Sequence, residues 1–217
     1  MIDDRVRRVY QAVMSLPRVD CETLKSGIPM NGVYFCFESG EAVALDGVQT
    51  DRIVRVGINT QQDNLPKRIT HHFKDSGTSI FRWHVCCAML NRENPNDPLL
   101  LTERPYSKIG IREKVSLLMR QNFTLSCVQV DCHCDRSRLE AGVIALLSQY
   151  SLGSPSPDWL GCHAVKTFRK KQKLDAPRVN VEIRNSGLWN QDHVNGTPIS
   201  EDDLVLLEKL VTQTLRG

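Results

Sequence analysis

Near the N-terminus Val6, Val9, Tyr10, Val13 and Met14 recur at helical spacing. This predicts an amphipathic helix that ends before Pro17. From Asn31 to Glu38 the run NGVYFCFE is rich in aromatic and β-branched residues and predicts a strand, and DRIVRVGI, Asp51 to Ile58, predicts a second. The glycine-containing stretch between them predicts an antiparallel hairpin with a long loop. Pro66 suits the first turn of a helix, where its missing N–H has no intrahelical partner to lose; that helix carries Arg68 and His72. Further helices are predicted from about Ile80 to Leu90 and from about Ile111 to Met119, and TLSCVQVD, Thr124 to Asp131, predicts a third strand, so that a short central sheet results. Asp135 is placed to cap a helix running to about Tyr150, with Leu139, Val143, Leu146 and Tyr150 along one stripe. The turn-rich connector SLGSPSPDWLG follows, then a basic stretch. Ser200 with Glu201, Asp202 and Asp203 then opens a final amphipathic helix whose acids suit the helix dipole.

With 217 residues and 41% hydrophobic content, the chain can bury one substantial core, as one domain or one domain with a small extension. The net charge of +3 says little about partners, but its distribution says more. Between Lys166 and Arg184 seven basic residues stand against Asp175 and Glu182, and between Arg104 and Arg120 five stand against Glu113. Either cluster could neutralise phosphates or form a solvated face. The opening MIDDRVRRVYQAVM mixes acids and bases with apolar residues, which excludes a signal peptide or membrane anchor there, and no window approaches a spanning helix. Eight cysteines without an export signal are read as reduced thiols in a cytoplasmic protein, most of them packed as small apolar residues.

Alternation along the first strand puts Val33, Phe35 and Phe37 on one face and Tyr34, Cys36 and Glu38 on the other. In the second strand Val54, Val56 and Ile58 share a face, with Ile53, Arg55 and Gly57 opposite. A hairpin then sets Tyr34 and Arg55 on the same, less apolar side, where Gly57 leaves room for a backbone or a ligand. Arg68 and His72 are four apart and therefore neighbours on one helical surface, a guanidinium fork beside an imidazole that suits phosphate. Glu140 shares its helical face with Ile144 and Leu147, so its carboxylate is partly withdrawn from water and calls for a partner, either a divalent metal or an arginine.

GVY at Gly32 to Tyr34, RVG at Arg55 to Gly57, Arg68 with His72 on the next helix and Glu140 on a later one resemble, in order and context, the signature of the GIY-YIG nuclease family. The match covers about Asn31 to Tyr150. The resemblance implies an α+β fold, a small three-stranded antiparallel sheet flanked by helices, with N- and C-terminal helical additions. Residues 1–25 would form the N-terminal helical extension, 26–155 the catalytic domain, and 156–217 a basic extension and helix on the same core.

The resemblance also implies hydrolysis of DNA phosphodiesters with one divalent metal, Mg2+ or Mn2+ in its place. Tyr34 would be the general base, directly or through a second group, and Glu140 the metal ligand. Arg68 would stabilise charge developing on the phosphate, and His72 would position Tyr34 or help to deprotonate it. Because an ordinary tyrosine is a poor base at neutral pH, Arg55, Arg68 and the metal are expected to lower its pKa. Arg55 stands where the family usually has tyrosine, an arrangement that some restriction-type members resemble. For the family's late asparagine, Asn185, Asn190 and Asp158 are alternatives.

Lys166, Arg169, Lys170, Lys171, Lys173 and Arg178 are candidate DNA contacts, with the long hairpin loop as a further source of base reading. The size of the chain fits a self-contained restriction or defence enzyme cutting double-stranded DNA, and a homodimer would match a palindromic site. Two other readings compete. One is a catalytically inactive DNA-binding protein of the same fold. The other is a zinc-stabilised interaction module built on Cys127, Cys132, His133 and Cys134, although strand alternation points His133 away from its neighbouring cysteines. Trp159 and Trp189 are expected to be core anchors.

Overall fold

The computed structural model describes residues 2–20, 23, 27–73, 79–102, 108–150, 153–166 and 176–216. Helix α1, Asp4–Met14, starts at Asp3, whose carboxylate accepts the Arg5 N–H at 2.8 Å. Strands β1, Gly32–Leu45, and β2, Val48–Ile58, form a hairpin much longer than the sequence predicts. The expected long loop is absent. Asp46 and Gly47 both have positive φ, 51° and 83°, so the strands run on to a two-residue turn whose twist matches theirs.

Helix α2, Leu65–Phe73, and helix α3, Ile80–Glu93, follow; helix α4, Ile109–Asn122, leads directly into β3, Phe123–Gln129. Helix α5, His133–Gln149, begins one turn before the sequence suggests. Asp135 lies inside its first turn, and the capping position belongs to Cys132, whose side chain makes no cap bond. A two-stranded ribbon of β4, Val165–Lys166, and β5, Arg178–Val179, precedes helices α6, Val181–Ser186, and α7, Glu201–Thr214. Ser200 caps α7 by accepting the Asp203 N–H at 3.2 Å.

The main sheet is antiparallel with β1 central, in the order β2-β1-β3. Both of its faces are covered, which is why neither set of alternating side chains is polar. Val33, Phe35, Phe37 and Val56 pack with apolar residues of α1, α5 and α7. Tyr34, Cys36, Leu125 and Cys127 pack with α2, α3 and α4 and with Trp159 and Trp189. The register of β2 shifts where Cys36 faces Arg55 and Phe37 faces Ile53. This bulge at Val54 reverses the alternation expected there: Val54 joins the Tyr34 side and Ile53 the Phe37 side.

The outer edges of the sheet are also occupied. Val19 exchanges backbone hydrogen bonds with Leu125 on β3, at 2.7 and 2.9 Å. On β2, Trp189 N–H donates to the Val54 carbonyl at 2.6 Å, while the Asn190 amide accepts from Val56 N–H and donates to Val56 C=O. Among the described residues no helix is long and apolar enough to cross a membrane.

Candidate active site

Tyr34 and Arg55 project from the same side of the hairpin, as alternation predicts. Tyr34 is paired with Gly57, and a methyl group there would lie 2.3 Å from the phenol oxygen and 2.4 Å from Cζ. Gly57 is therefore the space in which the tyrosine ring sits, rather than room for a ligand. Arg68 and His72 lie one turn apart on α2, and His72 Nε2 meets the Tyr34 hydroxyl at 2.8 Å. On its other side His72 Nδ1 meets Ser79 Oγ at 2.7 Å. Ser79 caps α3 by accepting the Arg82 N–H at 3.1 Å, so that one hydroxyl starts a helix and orients the imidazole. Sequence reasoning missed this role of Ser79, although a serine before an apolar helical run is a readable cap signal.

Arg55 is 8% exposed. Its Nη1 donates to the Trp189 carbonyl at 2.9 Å, its Nε lies 3.5 Å from the Tyr34 oxygen, and its guanidinium carbon is 4.8 Å from the centroid of the Phe81 ring. Burial opposes its charge, but Tyr34, Cys36 and Glu140 around it outweigh that effect and hold it cationic.

A cavity of about 380 Å³ brings together Arg55, Arg68 and Glu140, and its wall also includes Trp83, Asn190 and His193. Arg68 makes no side-chain hydrogen bond or ion pair among the described residues. Its guanidinium is available to an anion in the cavity. Glu140 is half-buried on α5 and likewise makes no hydrogen bond or ion pair among the described residues. Burial raises its pKa, against the opposing pull of Arg55, His193 and Arg68.

No group of three or more metal-binding side chains is assembled among the described residues. A metal here would be held by the single carboxylate of Glu140 and completed by water and phosphate oxygens, a donor set that suits Mg2+. Cys127 is buried in the core while Cys132, His133 and Cys134 are exposed, so the alternative zinc cluster does not come together.

Tyr34 and His72 are wholly buried and are not part of the cavity wall, which the phenol meets through Arg55. Burial pushes the Tyr34 pKa up, and the nearby charges of Arg55 and Arg68 do not overcome it. The protein alone therefore does not produce the lowered pKa expected from those arginines. Burial first, then Arg55, Arg68 and His71, hold the His72 pKa well below its ordinary value. His72 is thus a neutral imidazole, better suited to fixing the phenol than to taking its proton.

Of the late-asparagine alternatives, Asn190 lines the cavity but spends both amide groups on the Val56 backbone, at 3.1 and 2.9 Å. Asn185 lines a separate cleft with Arg52 and Arg184, and Asp158 is an exposed turn residue. Lys166 lies in the cavity wall with its ammonium bound to Glu182 at 2.6 to 2.7 Å; Arg178, opposite it in the ribbon, is exposed. Arg169, Lys170, Lys171 and Lys173 fall outside the described residues.

A three-stranded antiparallel sheet flanked by helices, carrying this ordered set of residues, defines the GIY-YIG nuclease class. A family model for the GIY-YIG domain matches residues 4–216, and the chain belongs to that family, whose members are DNA-cleaving endonucleases. No curated protein and no solved structure matches the chain.

Proposed function

We propose that the protein is a divalent-metal-dependent endonuclease that cuts double-stranded DNA, with a sequence-specific restriction or defence role. The observation that carries this reading is the convergence of Arg55, Arg68 and Glu140 on one cavity, with Arg55 also touching the Tyr34–His72 pair. Arg68 grips the scissile phosphate and stabilises charge gained by its oxygens in the transition state. Arg55 does the same from the cavity wall and links it to Tyr34. Glu140 is the ligand for Mg2+, or for Mn2+ in its place, which supplies Lewis-acid stabilisation of the phosphate and leaving oxygen when bound.

Tyr34, sealed behind Arg55 and kept neutral by burial, takes no proton from the attacking water; it orients the Arg55 guanidinium, and His72 with Ser79 holds the phenol in place. Arg178, exposed on the ribbon strand opposite Lys166, provides a phosphate contact, and Lys166 joins it on exchanging its Glu182 partner for DNA; Arg169, Lys170, Lys171 and Lys173 are assigned to phosphate by their charge alone. A two-fold dimer would cut both strands of a palindromic site in the cytoplasm.

The test is mixed-sequence plasmid incubated with protein and magnesium or manganese, beside chelator and Glu140→Ala controls. Discrete fragments lost in both controls support the enzyme. A second reading, DNA binding without cutting, is favoured by the burial of Tyr34. It takes over if the DNA stays intact under both metals yet is retarded on a gel.

A further inference from the structure

Glu38 follows Tyr34 and Cys36 on the same face of β1, yet no step above uses it. Its side chain is buried, and a single oxygen, Oε2, accepts the indole N–H of Trp159 at 2.9 Å and that of Trp189 at 2.9 Å. The two donors lie 121 and 151 residues further along the chain. A buried carboxylate is costly unless it is hydrogen-bonded, and an apolar residue in its place would leave two buried indole donors without an acceptor. The two rings meet edge to face with centroids 5.5 Å apart, and Trp189 also packs on Phe81 at 6.1 Å.

Trp189 leads from this clamp to the cavity. Its N–H donates to the bulge residue Val54, its carbonyl accepts Arg55 Nη1 at 2.9 Å, and Arg55 lies over Phe81, the same ring that Trp189 packs on. Two of the contacts that fix Arg55, and one on its chain neighbour Val54, thus run through one tryptophan or the ring packed on it. Without its acceptor the Trp189 indole can rotate, the carbonyl moves with the backbone at the bulge, and the guanidinium loses its anchor.

We propose that Glu38 is a positioning residue for Arg55, acting through the Trp159–Trp189 clamp and the Trp189 carbonyl. This rests on the proposed role of Arg55 at the scissile phosphate. The function of Glu38 is to accept two hydrogen bonds, so glutamine, whose carbonyl oxygen can do the same, should replace it and alanine should not.

The experiment compares wild type, Glu38→Gln, Glu38→Ala, Arg55→Met and the Glu38→Ala/Arg55→Met double variant. It follows thermal melting, DNA cleavage at saturating DNA, and the NMR signal of the Arg55 Nε–H, assigned by its loss in Arg55→Met. Glu38→Gln should stay near wild type in all three. Glu38→Ala should move the Arg55 signal and slow cleavage by about tenfold to a hundredfold, short of the loss of a whole transition-state donor. In the Arg55→Met background it should cost less than about a further twofold, the non-additivity expected of residues acting as a unit.

The proposal is overturned if folded Glu38→Ala keeps the Arg55 signal in place, or if the two single effects multiply. Should Glu38→Ala not fold, Trp189→Phe removes the indole donor and keeps a ring, and the same shift of the Arg55 signal is required of it. If wild type itself leaves DNA uncut, the nuclease reading falls, and the Arg55 signal still decides the role of Glu38.

Discussion

Replacing Gly57 by alanine is the sharpest probe of how the hairpin builds the site. The added methyl would sit 2.3 Å from the Tyr34 oxygen, 2.4 Å from Cζ and 2.7 Å from Cε1, so either the ring or β2 must move by about an ångström to reach ordinary carbon contact near 3.5 Å. The ring has little freedom, because its hydroxyl is tied to His72 at 2.8 Å and its surface is wholly buried. Overpacking of a filled core costs about 1–3 kcal/mol. Displacing the phenol from His72 adds about 1 kcal/mol for the lost hydrogen bond. The expected destabilisation is therefore about 2–4 kcal/mol, read as a lower urea midpoint at unchanged slope. A Tyr34→Ala background removes the three atoms nearest the methyl, and the same substitution should there cost less than about 1 kcal/mol or even stabilise the strand. Equal costs in the two backgrounds would refute the argument, since the clash would then not involve the tyrosine.

Other outcomes follow from the same geometry. Arg68→Ala should weaken DNA binding while leaving the melting temperature within about a degree or two, because no hydrogen bond among the described residues is lost; a large fall in stability would contradict this. Ser79→Ala removes both the α3 cap and the His72 partner and should cost about 1–2 kcal/mol in denaturation, together with slower cleavage; a stability loss without any change in cleavage would disconnect Ser79 from the site.

Stability should also depend on pH through Glu38, whose pKa burial pushes up to about 7 from an ordinary 4.5. A carboxyl raised in the folded state favours folding below its unfolded pKa and loses that advantage as pH rises through the folded value. Wild type should therefore lose up to about 3 kcal/mol relative to Glu38→Gln between pH 4.5 and 7, at 1.36 kcal/mol per pKa unit. Parallel urea-midpoint profiles for the two proteins would rule this out.

Local periodicity in the sequence reveals the helices and strands well, since α1, α3 and α7 each carry a stripe or a cap that needs no tertiary knowledge. It also places Tyr34 with Arg55 and Arg68 with His72, because these pairings depend only on strand alternation and helical spacing. The Asp46–Gly47 turn was readable from its residue types; taking the whole intervening stretch as loop overlooked that alternation continues through Ala42 to Leu45. The bulge at Val54 was not readable, since nothing local announces an extra residue in one strand. The meeting of Glu38 with Trp159 and Trp189 was hidden for a different reason: local periodicity carries no information on contacts between residues more than a hundred positions apart. The electrostatics of Tyr34 depend on burial as much as on neighbouring charge, and only the folded chain reveals that burial prevails.

The central claim is that Arg68 and Glu140, meeting in the cavity with Arg55, cut DNA. Single-turnover cleavage of plasmid DNA by wild type, Arg68→Ala and Glu140→Ala, each at saturating protein with magnesium, tests it most directly. The account predicts a metal-dependent rate for wild type and losses of at least about a hundredfold in each variant, the scale of removing one transition-state contact. Variants that cut at the wild-type rate, or cutting that persists in chelator, would contradict it.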